Sequence, residues 1–509
     1  MKILSSEQIR EVDQFTIKNQ PIVSLDLMEQ AATACFNAIQ ENLGNRLKGE
    51  PIHIFCGIGN NGGDGLVLAR LFFKADFKVS LYISRYSNKS TNDFKVNLGR
   101  LKGHDISIID IDMIEDLKPI ESGWIIDAVF GTGLNRPPRG IAAATIKHMN
   151  HQDLPIISID IPSGLFSNLP AHHDSDKTIA ADYTFGFQVP KLAFFMPENF
   201  RYVGEWSIVD IGLDKDFIEN QDSDLYFLVP QKLKLMLRNR EKFEHKGDFG
   251  HAVLIGGDVE KAGAVILAGK AALRAGAGLV TLMVPEKIMS VVHQSSPEVM
   301  CMANGDDFIR SWEKEKLPNT MDKVGIGVGI GMGKQSRTRD FLKDLLEDSF
   351  HPIVLDADAI NIIADNQKLL DEVPAQSILT PHIGEFKRLV GKYKNSFELL
   401  EKQIEFSIKH KVIVVLKGAH TRISTPRGKV FFNPTSNPGL ATAGSGDVLT
   451  GIITGLLKQY VNPVKAAILG VYLHGKAGDL ALKNQSMESM IASDIIDNLG
   501  NAFCHLHNV

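Results

Sequence analysis

The chain has 509 residues and a formal net charge of -5 at pH 7. This length exceeds what one ordinary hydrophobic core serves, so we expect two or more domains, with two large ones as the working count. The mildly acidic balance lacks the basic excess that neutralises nucleic-acid phosphates, which argues against a nucleic-acid partner.

The cysteines and the apolar runs bear on the cell compartment. Cys35, Cys56, Cys301 and Cys504 lie far apart, without the close pairs of a zinc site or a disulfide framework. The first residues, "MKILSSEQIREVDQF", lack the apolar core of a signal peptide, and no run of about eighteen apolar residues occurs. We therefore expect a cytoplasmic protein with free thiols and no membrane segment.

Apolar, β-branched runs alternate with stretches of helical spacing along the chain. Such strands are typical of parallel sheets covered on both faces, so the predicted fold class is α/β throughout. A charged, irregular stretch breaks the alternation, and we place the boundary near residues 215–230, with expected domains over 1–220 and 225–509. The predicted strands include "PIHIFCG", "FKVSLYI", "GWIIDAVFG" and "LPIISIDIPSG", then "HAVLIGG", "LVTLMVP", "DKVGIGVG", "PIVLDAD" and "VIVVLKG".

A glycine-rich turn follows the first of these strands, where Gly57, Gly59 and Gly62 satisfy GxGxxG. An ordinary NAD site also needs an acidic residue at the end of the next strand. That strand ends at Arg85, a candidate contact for a 2'-phosphate, so the NAD fingerprint fails. The turn still combines two side-chain amides, two glycines and a carboxylate, which favours a polar ligand. These residues are Asn60, Asn61, Gly62, Gly63 and Asp64.

Two further strands of the first domain end in polar residues. Asp127 ends one strand, and Asp160 and Ser163 follow another. Ligands of open parallel sheets bind at the carboxyl ends of strands. One such aspartate fits a helix cap, but three polar strand ends together favour a ligand site.

The segments "GNNGGDG", "DAVFGTGL", "IDIPSG" and "FQVPKLAFFMPE" resemble the signature segments of the NAD(P)H-hydrate epimerase domain, over about residues 50–200. The resemblance implies a Rossmann-like fold and a potassium ion held by Asn61, Asp127 and Ser163. Carboxylate, amide and hydroxyl oxygens suit such a hard cation. It also implies that the hydrated nucleotide binds to Asn60, Asn61, Gly62, Gly63, Asp64, Gly131, Thr132, Gly133, Leu134, Asn135, Arg136, Pro137 and Asp160.

Epimerisation of a C6 carbinol requires a group that accepts and returns a proton. Asp160 with Lys191 forms a suitable acid–base pair. The alternative for Lys191 is a solvated surface lysine, and the sequence leaves the two interpretations open.

The second domain lacks a P-loop. In the nearest approach, "GVGIGMGKQS", Val328 occupies the first glycine position and Gln335 follows Lys334. Gly331 and Gly333 instead indicate a strand end that comes close to a ligand.

A stronger signal is the stretch "GLATAGSGDVLTG". Gly444, Ser445 and Gly446 leave amides open at a helix start, and Asp447 lies on the first turn. Such a helix start suits a phosphoryl oxygen next to a carboxylate base. Hydroxide is a poor leaving group, so dehydration becomes easier when the hydroxyl first receives a phosphoryl group and departs as phosphate. Asp447 would take the hydroxyl proton while these amides stabilise developing negative charge.

With "LKGAHT", "TPHIGEF" and "VLDADAIN", this stretch resembles the ADP-dependent NAD(P)H-hydrate dehydratases of the ribokinase-like superfamily, over about residues 245–500. The resemblance implies a magnesium ion and ADP as phosphoryl donor. His382 is alternatively a helix cap, and Asp356 and Asp358 are strand-end caps, water-mediated metal ligands, or both. The implied hydrate contacts are Ala264, Gly333, His382 and Asp447, and the implied nucleotide contacts are Lys417, Gly418, Ala419, His420, Thr421 and Gly446.

We therefore predict that the first domain interconverts the R and S hydrates of NADH and NADPH at C6. The second would dehydrate the S-hydrate with ADP, releasing AMP and phosphate. The choice of ADP over ATP and a homo-oligomeric state come from the resemblance. One alternative is a small-molecule kinase of the sugar or vitamin type with a binding module. Another is a nucleotide sensor or scaffold without activity, which the intact Asp160 and Asp447 disfavour.

Overall fold

The computed structural model describes residues 1–170, 175–317, 323–460 and 462–509. The chain forms two compact units. The first comprises Met1–Ser223 and Asn395–Phe397, and the second comprises Asp224–Lys394 and Glu398–Val509. None of the helices in the described ranges is long and apolar enough to cross a membrane.

The first unit is built on a seven-stranded sheet of parallel neighbours. Its strands are β1 (Ile52–Cys56), β2 (Val79–Ser84), β3 (Ser107–Ile111), β4 (Trp124–Ala128), β5 (Ile156–Ile159), β6 (Tyr183–Phe187) and β7 (Glu205–Val209). Its helices are α1 (Ser6–Asn19), α2 (Ser24–Leu47), α3 (Asn60–Lys74), α4 (Asn92–Arg100), α5 (Gly140–Asn150), α6 (Phe200–Val203) and α7 (Lys215–Asn220). The strand order β3-β2-β1-β4-β5-β6-β7 reverses its direction of growth between β1 and β4, where ligands of such sheets bind.

Both faces of this sheet are covered by helices, as the continuous apolar strands predict. Ile54 of β1 packs in one cluster with residues of α2 and α3. Its neighbour Phe55 points to the other face and packs with Ile146 of α5. Because successive side chains of a strand alternate between faces, a strand buried on both sides is apolar at most of its positions.

The second unit contains a ten-stranded sheet of order β11-β10-β9-β12-β13-β14-β15-β16-β17-β8 in chain numbering. The strands are β8 (Leu225–Phe227), β9 (His251–Gly256), β10 (Leu279–Val284), β11 (Met300–Ala303), β12 (Val324–Ile330), β13 (Val354–Leu355), β14 (Ile378–Leu379), β15 (Ile413–Leu416), β16 (Arg422–Ser424) and β17 (Val430–Phe432). The helices are α8 (Pro230–Lys234), α9 (Ala262–Arg274), α10 (Met289–Ser295), α11 (Ser336–Asp348), α12 (Ala357–Asp365), α13 (Ile383–Val390), α14 (Ser396–His410), α15 (Ser445–Leu457), α16 (Pro463–Ala481) and α17 (Ala492–Asn508).

Two pairings of the second sheet depart from the parallel arrangement that continuous apolar strands favour. β16 is antiparallel to both β15 and β17. The connection between β16 and β17 is a short turn in which Gly428 has φ of +80°. A turn of this length joins antiparallel strands, whereas a parallel pair needs a crossover of a dozen or more residues. The charged stretch at the predicted boundary is also less irregular than expected, since it contains α7, β8 and α8.

Helix α15 packs closely against α9 through two of its glycines. A Cβ on Gly451 would lie 2.1 Å from the carbonyl oxygen of Ala268, and one on Gly455 would lie 2.8 Å from that of Ala272. Only glycine therefore permits this approach of the two helices. The contact holds α15, which carries Asp447 on its first turn, close against α9.

Candidate active sites

In the first unit, Asp160 follows β5 in a strained conformation. Its φ of +65° lies in the left-handed region, which is unusual for a residue other than glycine. The Asp160 side chain is nearly buried, and its Oδ1 lies 2.7 Å from Nζ of Lys191. Lys191 also donates a hydrogen bond of 3.0 Å to the carbonyl of Phe187. The Lys191 side chain is 0% exposed, so its interpretation as a solvated surface lysine is wrong.

The loop after β4 reaches this aspartate. The amide of Thr132 donates a 2.9 Å hydrogen bond to Asp160 Oδ2. A Cβ on Gly131 would lie 2.7 Å from the same oxygen and 3.4 Å from Cβ of Asn61. Gly131, in the loop after β4, therefore lies between Asn61 of the turn after β1 and Asp160 after β5. The loop continues through Gly133, whose carbonyl accepts a hydrogen bond from Arg10.

The remaining predicted loop contacts lie further out. Leu134 closes a turn by donating its amide to the carbonyl of Gly131. Asn135 and Arg136 are exposed, and Pro137 is partly exposed. Within the described residues, no hydrogen bond or ion pair holds the side chains of Asn135 and Arg136.

The turn after β1 begins α3 and places polar groups inside the protein. A Cβ on Gly62 would lie 1.9 Å from the carbonyl oxygen of Gly57, so the turn requires glycine there. Asn60 is exposed, Gly63 is buried, and Asn61 and Asp64 are nearly buried. Burial raises the pKa of Asp64 well above its usual value, and the charges of nearby aspartates raise it further.

Asp127 is fully buried and anchors the segment after β5. Its Oδ2 accepts hydrogen bonds of 2.8 Å from both the Ser158 hydroxyl and the Ser163 amide. Its Oδ1 accepts one of 2.5 Å from the Ser163 hydroxyl. Burial raises the pKa of Asp127, and the hydrogen bonds from Ser163 oppose that rise. Asn61 lies next to Gly131, which in turn lies next to Asp160. The buried Nδ2 of Asn61 has no hydrogen-bond partner in the part of the chain that the structure describes.

Asp13 of α1 is a site residue that the sequence analysis misses. Burial raises its pKa to about 7, the charge of Asp160 adds to the rise, and Lys191 opposes it. In the sequence, Asp13 is one polar residue of the helical segment "REVDQFTI". Such a residue by itself predicts only a solvent-exposed position on a helix.

In the second unit, Asp447 lies at the beginning of α15. Gly444 precedes the helix with φ of +85°, and none of the described side chains caps the helix there. Burial raises the pKa of Asp447 to about 6, the charges of Asp356 and Asp358 add to the rise, and Lys417 opposes it. The helix beginning therefore combines exposed backbone groups with a carboxyl group whose pKa is close to neutral.

Lys417 and Asp356 form the charged centre beside this helix. Nζ of Lys417 lies 3.0 Å from Oδ1 of Asp356, and a Cβ on Gly446 would lie 3.4 Å from the same nitrogen. Oδ2 of Asp356 accepts a 2.6 Å hydrogen bond from the hydroxyl of Thr450. Asp356 makes no side-chain cap to α12, so the strand-end cap interpretation is wrong for this residue.

The glycine-rich segment after β12 approaches the same centre. The amide of Gly333 donates a 2.8 Å hydrogen bond to Oδ2 of Asp358. A Cβ on Gly331 would lie 3.4 Å from Cβ of Ala264. The structure therefore places Ala264 beside Gly331 and Gly333 beside Asp358, whose charge raises the pKa of Asp447.

His382 caps α13, as the alternative interpretation predicts. Its Nδ1 accepts hydrogen bonds from the amides of Gly384 and Glu385, at 3.0 and 3.3 Å. The ring remains 54% exposed, which leaves it accessible to a ligand. His382 also pairs with Lys417 in an isolated β-bridge. Glu385, which the sequence analysis misses, is buried beside them, and burial raises its pKa.

The segment after β15 forms a tight turn. The Thr421 hydroxyl donates a 3.0 Å hydrogen bond to the carbonyl of Gly418, and Ser436 donates to the carbonyl of Ala419. Burial lowers the pKa of His420. This segment begins at Lys417, so the structure places the predicted nucleotide contacts at one strand end, with Lys417 facing Gly446.

His474 of α16 is a second residue that the sequence analysis misses here. Its Nε2 lies 3.0 Å from the carbonyl oxygen and 3.1 Å from the hydroxyl of Ser445. Burial lowers the pKa of His474 to about 4, so the ring is neutral at physiological pH and donates to the carbonyl. His474 therefore holds the first residue of α15.

Comparisons with known proteins cover both units. Residues 24–193 match a family model described as YjeF-related protein N-terminus, and residues 252–501 match one described as NAD(P)H-hydrate dehydratase. The bifunctional NAD(P)H-hydrate repair enzyme Nnr of Moorella thermoacetica is 32% identical over 98% of this chain and 96% of its own length. The enzyme of the same name from Escherichia coli is also 32% identical, over 88% of this chain and 84% of its own.

Among solved structures, an ADP/ATP-dependent NAD(P)H-hydrate dehydratase from Bacillus subtilis is 27% identical, with a TM-score of 0.47. The match covers 55% of this chain and 98% of that chain. The likeness to the two repair enzymes, by contrast, extends along nearly the whole chain, through both units. The chain belongs to the family of bifunctional NAD(P)H-hydrate repair enzymes.

Proposed function

We propose that this protein repairs hydrated NADH and NADPH. The first unit interconverts the R and S hydrates at C6, and the second dehydrates the S-hydrate with ADP, which leaves NAD(P)H, AMP and phosphate. One observation carries the proposal: each unit has a poorly solvated aspartate near a lysine at the carboxyl ends of parallel strands. These are Asp160 with Lys191 and Asp447 with Lys417. The names of the full-length relatives support the substrate class.

The chemistry of the first unit requires one proton to be donated and one to be accepted. The C6 hydroxyl of the hydrate is next to the ring nitrogen N1, whose lone pair expels the hydroxyl as water once it is protonated. Addition of water to the opposite face then inverts C6 and releases a proton. Asp160, oriented by Lys191 and by the amide of Thr132, is positioned to accept that proton.

A potassium ion fits the donor groups of the first site. Asp127 and Ser163 offer carboxylate and hydroxyl oxygens. The Nδ2 of the buried Asn61 amide has no partner among the described residues, so the amide presents its oxygen there if it is rotated. These three residues would hold the ion. When bound, it would supply positive charge near the substrate phosphates.

In the second unit, Asp447 takes the proton of the C6 hydroxyl as that oxygen attacks the terminal phosphorus of ADP and AMP leaves. Lys417 and the amides at the beginning of α15 neutralise the negative charge that develops on the transferred group. The C6–O bond then breaks, phosphate departs with the bonding electrons, and loss of a proton from C5 completes the double bond.

Magnesium would enter this site with the nucleotide. Among the described residues, no group of three or more His, Cys, Asp or Glu side chains is arranged to hold a metal ion. Both oxygens of Asp356 have protein partners, so Asp358 is the better candidate for a contact through water. Bound magnesium would neutralise phosphate charge.

The use of ADP rather than ATP and a homo-oligomeric state remain predictions. A cytoplasmic location is supported by the four free thiols.

The test uses a mixture of the R and S hydrates with ADP and magnesium, followed by the absorbance of reduced nicotinamide. The wild-type protein should recover all of the hydrate, including the R form. Asp447→Asn should block recovery and still equilibrate the two epimers, as measured by chromatography. No recovery from either epimer overturns the proposal, and a stable phosphorylated sugar product would favour a kinase instead.

A further inference from the structure

Helix α1 presents a polar stripe to the first site. Ser6, Arg10 and Asp13 are spaced i, i+4 and i+7, so they lie on one face of the helix. The Ser6 hydroxyl oxygen lies 2.5 Å from that of Ser167, in the segment after β5. Arg10 donates a 3.3 Å hydrogen bond to the carbonyl of Gly133, in the loop after β4. These two contacts hold the stripe over the loops that reach Asp160, and Asp13 is its third member.

The surroundings of Asp13 differ from those of the other aspartates of the site. The charged groups that face it are Asp160, Lys191 and Asp64 of α3. Arg10 lies one turn away on the same helix. Asp160 has an ion pair and an amide donor, whereas none of the described residues donates a hydrogen bond to Asp13. Its side chain is half-buried, open enough for a ligand to reach it.

Two carboxyl groups in such different surroundings suit opposite tasks. With a pKa raised to about 7, Asp13 carries a proton in a large part of the population at neutral pH. Asp160, by contrast, has the lysine ammonium 2.7 Å from its Oδ1 and the amide of Thr132 at its Oδ2. When the surroundings of neighbouring titratable groups differ in this way, one serves as acid and the other as base.

We propose that Asp13 is the proton donor of the epimerase site. It protonates the C6 hydroxyl, the C–O bond breaks, water leaves with the bonding electrons, and the N1 lone pair forms the C=N bond. Water then adds to the opposite face and transfers a proton to Asp160. Proton exchange with solvent restores both groups, so each turnover donates one proton and recovers one. This inference rests on the proposed epimerase activity.

The experiment compares Asp13→Asn with Glu11→Gln, which changes an exposed carboxylate of the same helix in the same way. Full-length proteins receive the R-hydrate without ADP, and formation of the S-hydrate is followed by chromatography. We expect Asp13→Asn to lower kcat by about 100-fold or more, with KM changed by less than about threefold. Glu11→Gln should match the wild type, and Asp13→Glu should recover part of the rate. The wild-type kcat should fall above about pH 7 as the donor loses its proton, and Asp13→Asn should lack this decline.

Urea denaturation of the same samples shows whether the first unit of the variant is folded. If it is folded and Asp13→Asn epimerises within about threefold of the wild-type rate, the inference is wrong while the proposed function stands. An increase in KM at unchanged kcat, or an unchanged pH profile, also overturns it. A wild-type protein without any epimerase activity overturns the proposed function of the first unit, and the inference with it.

Discussion

Nζ of Lys191 lies 2.7 Å from Oδ1 of Asp160, although the lysine side chain has no solvent exposure. Removal of one member of such a pair leaves an uncompensated buried charge, which typically costs about 3–5 kcal/mol. We expect Lys191→Met to lower the free energy of unfolding by about 3 kcal/mol and to abolish epimerisation, as measured by urea denaturation and the epimer assay.

The matched control is Lys215→Met in the same unit. Lys215 pairs with Asp210 at 2.8 Å, but both side chains are more than half exposed, so the loss should stay below about 1 kcal/mol. Equal losses for the two lysine variants would contradict the importance of the buried pair.

The ionised carboxylate of Asp447 should lower the free energy of unfolding at neutral pH. Its pKa is raised from 3.8 to about 6, so its contribution to stability is complete below pH 3.8 and is lost as the pH rises through 6. Asp447→Asn should therefore raise the free energy of unfolding by about 1–3 kcal/mol at pH 8 and change it little at pH 4, while dehydration is lost.

Urea denaturation at the two pH values checks this, and Asp497→Asn on the exposed face of α17 is the control. That variant should show no such pH-dependent gain and should keep the activity. Destabilisation by Asp447→Asn at pH 8 would show that its burial is not unfavourable.

The hydroxyl of Thr450 supports the charged centre of the second unit through its 2.6 Å hydrogen bond to Asp356. Thr450→Val keeps the shape but leaves a buried carboxylate oxygen without this donor, which should cost about 1–3 kcal/mol. We also expect dehydration to slow, because Asp356 positions Lys417.

Thr454→Val, one turn further along the same helix, is the control for Thr450→Val. The Thr454 hydroxyl donates to the carbonyl of Thr450, a backbone group within the same helix. Its loss should cost less than about 1 kcal/mol and leave dehydration unchanged. Thermal denaturation and dehydratase assays that fail to separate the two variants would refute the role given to Thr450.

Gly131 sets the distance between its loop and Asp160. A Cβ at this position would lie 2.7 Å from Asp160 Oδ2, which is below any ordinary contact distance. Gly131→Ala should therefore displace the loop and lower kcat/KM of epimerisation by about 10-fold to 100-fold. Gly99→Ala on α4, where a Cβ would meet none of the described residues within 4 Å, should leave the rate unchanged. Normal epimerisation by Gly131→Ala would mean that the loop adapts freely.

The α/β class was predictable because strands buried on both faces are continuously apolar, as Ile54 and Phe55 illustrate. The antiparallel β16 and β17 escaped prediction because each has three residues, too few for a recognisable pattern. The positions of Asp127, Asp160 and Asp447 were recognisable because each lies at the end of a strand, directly after one, or in the first turn of a helix, which is a local property of the sequence.

Other parts of the two sites depend on packing between distant segments. Lys191 is buried in an ion pair with Asp160, and nothing within the "VPKLAFF" segment indicates that this lysine is buried. Asp13 acquires its environment from α1 lying on loops more than a hundred residues away, and His474 meets Ser445 through packing of α16 on α15. Such contacts leave no periodic or motif-like trace in one sequence.

The pairing of β8 with β17 decides where the second unit can be cut for separate expression. The recognisable family match begins only at residue 252, but β8 lies at Leu225–Phe227, and Leu228 and Leu233 behind it are buried in the core. A fragment that starts at residue 252 would expose β17 as a free edge, which invites aggregation by pairing between molecules. A fragment that starts at residue 224 retains that strand and both leucines, so it should be the more soluble of the two.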